Sequence, residues 1–543
     1  MTPEAGPSAP GRDPRADALR DRPLRVAFVS HSAGLAGAER SLLELVGELI
    51  ADHGVACTVL VPGEGPLRSH LEEAGATVLS ADLPWWCEPA TDLSADPRAA
   101  AAVGERLTHA AAALLGEPMH ALRRIRPDVV VTNTLAVPWG AWLAPVLGRP
   151  HVWHVCEYDD EDSGFRFLLG REELRRAIVD ASSRVFTANH ELAELYATAG
   201  AAAHVLYRHI EVPPGPYEPS GLYRRPGAIR LVTVATVCRA KGQDLVVRAV
   251  AGLVARGLDL ELLLVGPTQH PFDGRVQAIV EEHGLADRVR LVGRVEDVHP
   301  VMAEADAVVV GSRSEAFGRA PVEAMLLGKA LVYPRTGGPD EYLRDGETGL
   351  GYPPGDVEAL ADAIERLAAD SALRRRLGEA ARRDAEATFT RERYGGAAAE
   401  LLRDLRGAPP RLAPFWAPLL PDILDAARRQ GLDAGAGERA ELLAQATAAN
   451  RERDALAAEL RTARALREAR AAESAALRAE IDRFPARVDR LRAEADALRA
   501  EAARARQERD AVHASRTWRT ALALRRPLDL LRAAAGRIKR LAG

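Results

Sequence analysis

Two carboxylates, Glu315 and Glu323, bracket the segment Ser314–Glu323, which reads SEAFGRAPVE. Carboxylates at this spacing can accept hydrogen bonds from the hydroxyls of a sugar or a ribose. An apolar run, Ala307–Gly311 (AVVVG), precedes them and reads as a buried strand, and a helical segment, Pro321–Leu327, follows with its proline in the first turn. A strand, a loop containing Phe317 and Gly318, and a helix start aim backbone N–H groups and partial positive charge at one spot, which suits a polyhydroxyl ligand carrying phosphate. A second segment, Val234–Asp244 (VATVCRAKGQD), sets Arg239 and Lys241 beside Gly242 just before a helix. Two cations at a helix N-terminus can neutralise phosphate charge without a metal. Nearer the N-terminus, Ser32–Glu39 (SAGLAGAE) carries Gly34 and Gly37, which permit close approach of backbone to a ligand. His154 ends the apolar run His151–Val155 (HVWHV), a position as compatible with core packing as with ligand contact. Glu157 and the acidic run Asp159–Asp162 lie on the loop after it.

Short apolar runs alternating with helical stretches must position these groups. Leu24–Ser30, Ala56–Val61, Asp128–Thr132, His151–Val155 and Arg184–Ala188 read as strands, with helices such as Ala38–Asp52 and Phe165–Ala181 between some of them. Near-continuous apolar strands separated by helices indicate parallel sheets covered on both faces. Residues 212–227 hold five prolines and three glycines and read as a linker, after which the alternation restarts at Ile229–Val234, Glu261–Val265, Val289–Val292, Ala307–Gly311 and Ala330–Tyr333. The expected fold class is α/β, two tandem doubly wound Rossmann-like domains over 23–211 and 228–406, with the ligand site in the cleft between them.

The chain's 543 residues leave room for further segments. Residues 1–22, rich in proline, glycine and charge and without an apolar core, are expected to be disordered and not a signal peptide. Residues 407–437 are expected to be a proline-rich linker. Over 438–515 a seven-residue series runs Leu442, Ala449, Leu456, Ala463, breaks at Arg470, and resumes with Leu477, Phe484, Leu491, Leu498, Ala505 and Val512. That is a coiled-coil seam, kinked at Pro485, and it implies self-association or a partner helix; a solvated single helix is the alternative. Residues 516–543 carry eight basic side chains and one acidic one, with Trp518 near the start. They read as a basic amphipathic element for an anionic membrane surface. The net charge of −5 argues against nucleic acid as a partner. Four scattered cysteines without a CxxC pair favour a reducing compartment and no zinc, and no run approaches a transmembrane length.

The block from Ala305 to Gly349 resembles the signature of the retaining family 4 glycosyltransferases of the GT-B fold: Glu-x7-Glu after a strand, then Gly328-Lys329, Thr336-Gly337-Gly338-Pro339 and Asp345-Gly346-Glu347-Thr348-Gly349, in register. The tail from Ser515 resembles those of other polysaccharide glycosyltransferases. The resemblance covers residues 24–406 and implies a donor site in the second domain and an acceptor site in the first. It implies that Glu323 holds ribose hydroxyls of a nucleotide-diphosphate sugar. Glu315, with the N–H groups of Phe317 and Gly318, holds the sugar, Lys241 and Arg239 meet the diphosphate, and His154 contacts the donor sugar. Ala36-Gly37-Ala38-Glu39 resembles the family's Gly-Gly-Ala-Glu, with one glycine replaced, and Gly37 and Gly34 are expected to bind the donor. No metal or other cofactor is expected. The partners are a nucleotide sugar and a glycan or lipid-linked acceptor, in cell-surface polysaccharide assembly at the cytoplasmic face. The chain departs from the family where Arg-x4-Lys would put the arginine at Thr236, and where Tyr207-Arg208-His209 replaces Asn-Gly. The alternatives are a catalytically idle scaffold acting through the coiled coil, or a phosphorylase or epimerase of the same fold.

Overall fold

The computed structural model describes residues 22–88, 96–159, 165–411, 414–416, 419–429, 487, 490–512 and 514. Seven parallel strands form the first sheet: β1 (Arg25–Val29), β2 (Ala56–Val61), β3 (Thr77–Ser80), β4 (Val129–Asn133), β5 (His151–Val155), β6 (Arg184–Thr187) and β7 (Ala203–Val205), in the order β3-β2-β1-β4-β5-β6-β7. Six more form the second: β8 (Ile229–Val234), β9 (Leu260–Val265), β10 (Val289–Gly293), β11 (Ala307–Val309), β12 (Ala330–Pro334) and β13 (Leu350–Tyr352), in the order β10-β9-β8-β11-β12-β13. The fold is α/β, doubly wound twice. In each sheet the order reverses beside the first strand, at β1/β4 and at β8/β11, and the carboxyl ends there open the crevice where such sheets bind ligands. β4 and β5 are buried along their whole length, as strands covered on both faces must be.

Residues 212–227 carry no helix or strand. A second connection joins the two halves. After the helix Ser371–Thr388 the chain passes through Glu392–Gly396 and Ala397–Arg403 and packs on the first-domain helix Gly37–Ala51. There the Tyr394 hydroxyl donates to the Ser41 carbonyl at 3.1 Å and the Gly395 N–H to Glu48 at 3.0 Å.

The segment 407–437 is not simply a linker. Pro414–Trp416 forms a turn of 3-10 helix and Leu420–Arg429 an α-helix. Leu420, Ile423, Leu424 and Ala427 are buried at helical spacing, and Pro421 sits in the first turn, where its missing N–H costs nothing. Trp416 is 1% exposed and lies 5.7 Å from Trp139 and 5.2 Å from Trp142. The expected helix Phe165–Ala181 begins at Arg171, because Arg166–Phe167 pairs antiparallel with Cys87–Glu88. The helix after the SEAFG loop begins at Arg319, ahead of Pro321.

The chain divides into two compact units at Arg453/Asp454, and both sheets belong to the first. In the second unit 490–512 is helical, with Leu491, Leu498 and Val512 more than half exposed at seven-residue multiples. The rest of the expected coiled coil, the tail 516–543 and residues 1–21 lie outside the described residues. Among the described residues no helix is long and apolar enough to cross a membrane.

Candidate functional site

Two loops at the carboxyl ends of β8 and β11 meet backbone to backbone. Gly242 has φ +60°, and a Cβ there would fall 2.0 Å from the Gly311 carbonyl oxygen, so only glycine fits. This approach brings the Lys241 Nζ to within 2.6 Å of Glu315 Oε2, to which the Ser312 hydroxyl also donates at 3.0 Å. Arg313, beside them, forks onto the buried Asp244 at 2.9 Å through both nitrogens and donates to the Arg239 carbonyl at 2.8 Å. Those bonds hold the Arg239–Lys241 turn. The Arg239 side chain itself is exposed.

The SEAFG loop rests on the Gly337-Gly338 pair. A Cβ on Gly337 would lie 2.2 Å from the Glu315 carbonyl oxygen, and the Gly338 N–H donates to that carbonyl at 3.0 Å. Gly318 has φ +81° with its would-be Cβ 3.2 Å from the Glu315 side chain. The Phe317 ring is 1% exposed, packed among Tyr342 and Phe389 under the Arg208 guanidinium at 5.2 Å. Only its backbone is left to serve a ligand. Among the described residues no acceptor receives the N–H of Phe317 or Gly318. Glu323 lies one helical turn on, its carboxylate 3.7 Å from Arg319. Arg319 reaches across to the first domain, forking onto Glu44 at 2.6 and 2.8 Å, and a Cβ on Gly37 would sit 3.7 Å from its stem.

His154 is 1% exposed at the end of β5, and neither ring nitrogen has a hydrogen-bond partner among the described residues. Burial, with the nearby Arg208 adding to it, pulls its pKa down to about 3, so the imidazole is neutral. Arg208, 5% exposed, likewise leaves Nε and Nη2 without a partner among them. Glu157 is partly buried. Its Oε1 accepts the Leu135 N–H at 2.6 Å, and burial pushes its pKa up to about 7. Asp159 is pinned by Arg175 at 2.7 Å through both oxygens, which withdraws it from any ligand. Asp160, Glu161 and Asp162 lie outside the described residues.

Gly34 falls elsewhere. Its N–H donates to the Ser32 hydroxyl at 2.9 Å, and it lines a cavity of about 610 Å³ at the carboxyl ends of β1, β2 and β3, with His31, Glu64, Asp82 and Trp85. Burial lowers the His31 pKa although Glu39 is only 3.3 Å away.

The structure therefore joins Lys241 with Glu315, ties Glu323 and Gly37 to one arginine, and sets His154 and Phe317 beside another. It keeps Gly34 with the first-domain cavity. Sequence reasoning missed Arg319, Glu44, Arg208 and His31. Arg319 stood inside the motif as a spacer, and Glu44 was one charge among several on an amphipathic helix.

Comparisons with known proteins give the family. Residues 224–384 match the family model described as glycosyl transferases group 1, and residues 36–210 the glycosyl transferase 4-like domain. The lipopolysaccharide core biosynthesis mannosyltransferase LpcC of Rhizobium leguminosarum bv. viciae is 30% identical over 292 residues, 49% of this chain and 82% of that protein. The lipopolysaccharide core biosynthesis glycosyltransferase LpsE of Rhizobium meliloti is 35% identical over 162 residues, 30% of this chain and less than half, 46%, of that protein. The crystal structure of Anabaena Alr3699/HepE in complex with UDP and glucose superposes with a TM-score of 0.55 at 21% identity, over 70% of this chain and 100% of that one, and shows the shared fold.

Proposed function

The chain belongs to the family 4 glycosyltransferases of the GT-B fold, and from that premise we propose that it transfers a sugar, with retention, from a nucleotide-diphosphate donor to a glycan or lipid-linked acceptor. The observation that carries this reading is the contact of Lys241 with Glu315 at 2.6 Å, made by loops from two strands flanking the point where the sheet order reverses. It sets ammonium donors beside carboxylate acceptors, and a sugar diphosphate needs both. Glu315 accepts from the sugar hydroxyls, and the open N–H groups of Phe317 and Gly318 add donors. Lys241 and Arg239 face the diphosphate, so the scheme has no metal in it. Glu323 takes the ribose hydroxyls, and the unspent ring nitrogens of the neutral His154 are available to the sugar once the cleft admits it.

In the proposed step the bond between the anomeric carbon and the phosphate oxygen breaks, and its electron pair leaves with the diphosphate. The acceptor hydroxyl oxygen bonds to the same face of that carbon. Its proton passes to the departing phosphate oxygen. The cavity around Gly34, His31 and Trp85 lies on the first-domain side of the cleft, where the acceptor is assigned. Relatives named for lipopolysaccharide core biosynthesis favour a cell-surface polysaccharide as the product. A location at the inner membrane face, through 516–543, belongs to the same proposal.

Glu315→Gln is the test. Its loss should cost about 1.5–3 kcal/mol of transition-state binding, about ten- to a hundredfold in transfer, while the melting point holds. The donor is chosen first by thermal shift with UDP-, GDP-, ADP- and dTDP-sugars, since a ligand of the native state raises its melting temperature. Near-normal turnover by a folded Gln variant would end the assignment.

A further inference from the structure

Arg319 is nearly buried between two carboxylates, one from each domain. Both of its terminal nitrogens go to Glu44, at 2.6 and 2.8 Å, a fork matched to a carboxylate, and the Ser41 hydroxyl lies 3.4 Å from the first of them. Glu323, the other carboxylate within 4 Å, stands at 3.7 Å from the second nitrogen, beyond hydrogen-bond distance. The three side chains are 14%, 22% and 13% exposed. The position of the guanidinium is set by the backbone, because Arg319 is the first residue of its helix, after Gly318 in the left-handed region. On the opposite side Gly37 leaves room for the arginine stem.

We propose that Arg319 is a positioning residue that couples closure of the cleft to the ribose contact: it latches Glu44 across the domain boundary and, being held there, leaves the Glu323 carboxylate open to the donor. This rests on the assignment of Glu323 to the ribose. The physical reason is competition for one cation. A buried guanidinium that loses Glu44 retains its charge and moves to the remaining carboxylate, whose oxygens are then occupied by the protein. Opening the domains separates Glu44 from Arg319 and masks the ribose site. Closing them unmasks it, so the donor binds best to the closed form, and the donor in turn favours closure.

The full chain is compared with Glu44→Gln, Arg319→Glu and the charge swap Glu44→Arg with Arg319→Glu. Hydrogen–deuterium exchange of 37–51 and 319–326 reads the latch. Calorimetric affinities for UDP, GDP, ADP and dTDP, and for inorganic pyrophosphate, read the ribose contact. Glu44→Gln should exchange faster in both segments and lose about tenfold in affinity for the diphosphate that the wild type binds, with pyrophosphate unchanged. The swap should restore both protection and nucleotide affinity, because the latch is remade with its charges exchanged and no cation remains at 319 to cover Glu323. Wild-type affinity in Glu44→Gln, an equal loss for pyrophosphate, or protection restored in the swap without recovery of affinity would overturn the coupling. Failure of the swap to restore protection would overturn the latch. A wild type that binds none of the four diphosphates removes the ribose reading and with it the coupling, while the exchange data still judge the latch.

Discussion

The proposed scheme sets Lys241 against the diphosphate, so its removal should be felt by the phosphates and not by the base or ribose. Lys241→Ala is expected to weaken nucleoside-diphosphate binding tenfold or more, from a charge-assisted contact of about 1.5–3 kcal/mol, and to leave the nucleoside alone. Calorimetry with both ligands checks this, and equal losses would contradict the role. Glu157 carries a different consequence. Its pKa is lifted by burial from 4.5 to about 7, against the opposing pull of the Leu135 N–H and Arg208. Between those values the folded protein binds a proton that the unfolded chain does not, so this group's contribution is complete below about pH 4.5 and is lost as pH rises through about 7. Glu157→Gln lacks that loss. The stability gap should therefore shift in favour of the variant between pH 5 and 8, by on the order of 2 kcal/mol. Buried histidines such as His151 and His154 titrate alike in both proteins and cancel. A constant gap in urea melts across that range would mean that Glu157 is ionised throughout.

At the level of elements, the helix Leu420–Arg429 and the turn that carries Trp416 cover the first domain's tryptophans. Trp416→Ala should destabilise by roughly 3–5 kcal/mol, the usual cost of emptying a large aromatic site. A loss under about 1 kcal/mol in urea unfolding would show the segment to be loosely docked. This segment also marks the limit of what could be read from residues alone. The strand at Ala307 announces itself because burial on both faces demands an unbroken apolar run, and the SEAFG loop because its glycine answers to short local contacts. Residues 407–429 do not announce themselves, since their prolines look like breakers until a tryptophan pocket from residues 139–142 gives them a surface. The Glu44–Arg319 pair is hidden for the same reason. Its partners are 275 positions apart, and nothing local distinguishes a carboxylate facing another domain from one facing water.

Across the whole molecule, the helix 490–512 keeps Leu491, Leu498 and Val512 uncovered at heptad multiples, a pattern suited to another helix. Deleting 438–543 should leave donor hydrolysis nearly intact and abolish both self-association in light scattering and salt-sensitive sedimentation with anionic vesicles. The same oligomer and the same sedimentation without the segment would refute both assignments. The chain's return to its starting domain has a consequence for how the protein is made. The first sheet is complete at Val205, yet Trp416 and the helix that cover Trp139 and Trp142 are encoded over two hundred residues later. At a synthesis rate of roughly 5–20 residues per second, a nascent chain waits about 10–45 s with that aromatic surface open. Over that interval it is a natural client for a chaperone, and the second domain is translated as an insertion into a half-closed first one.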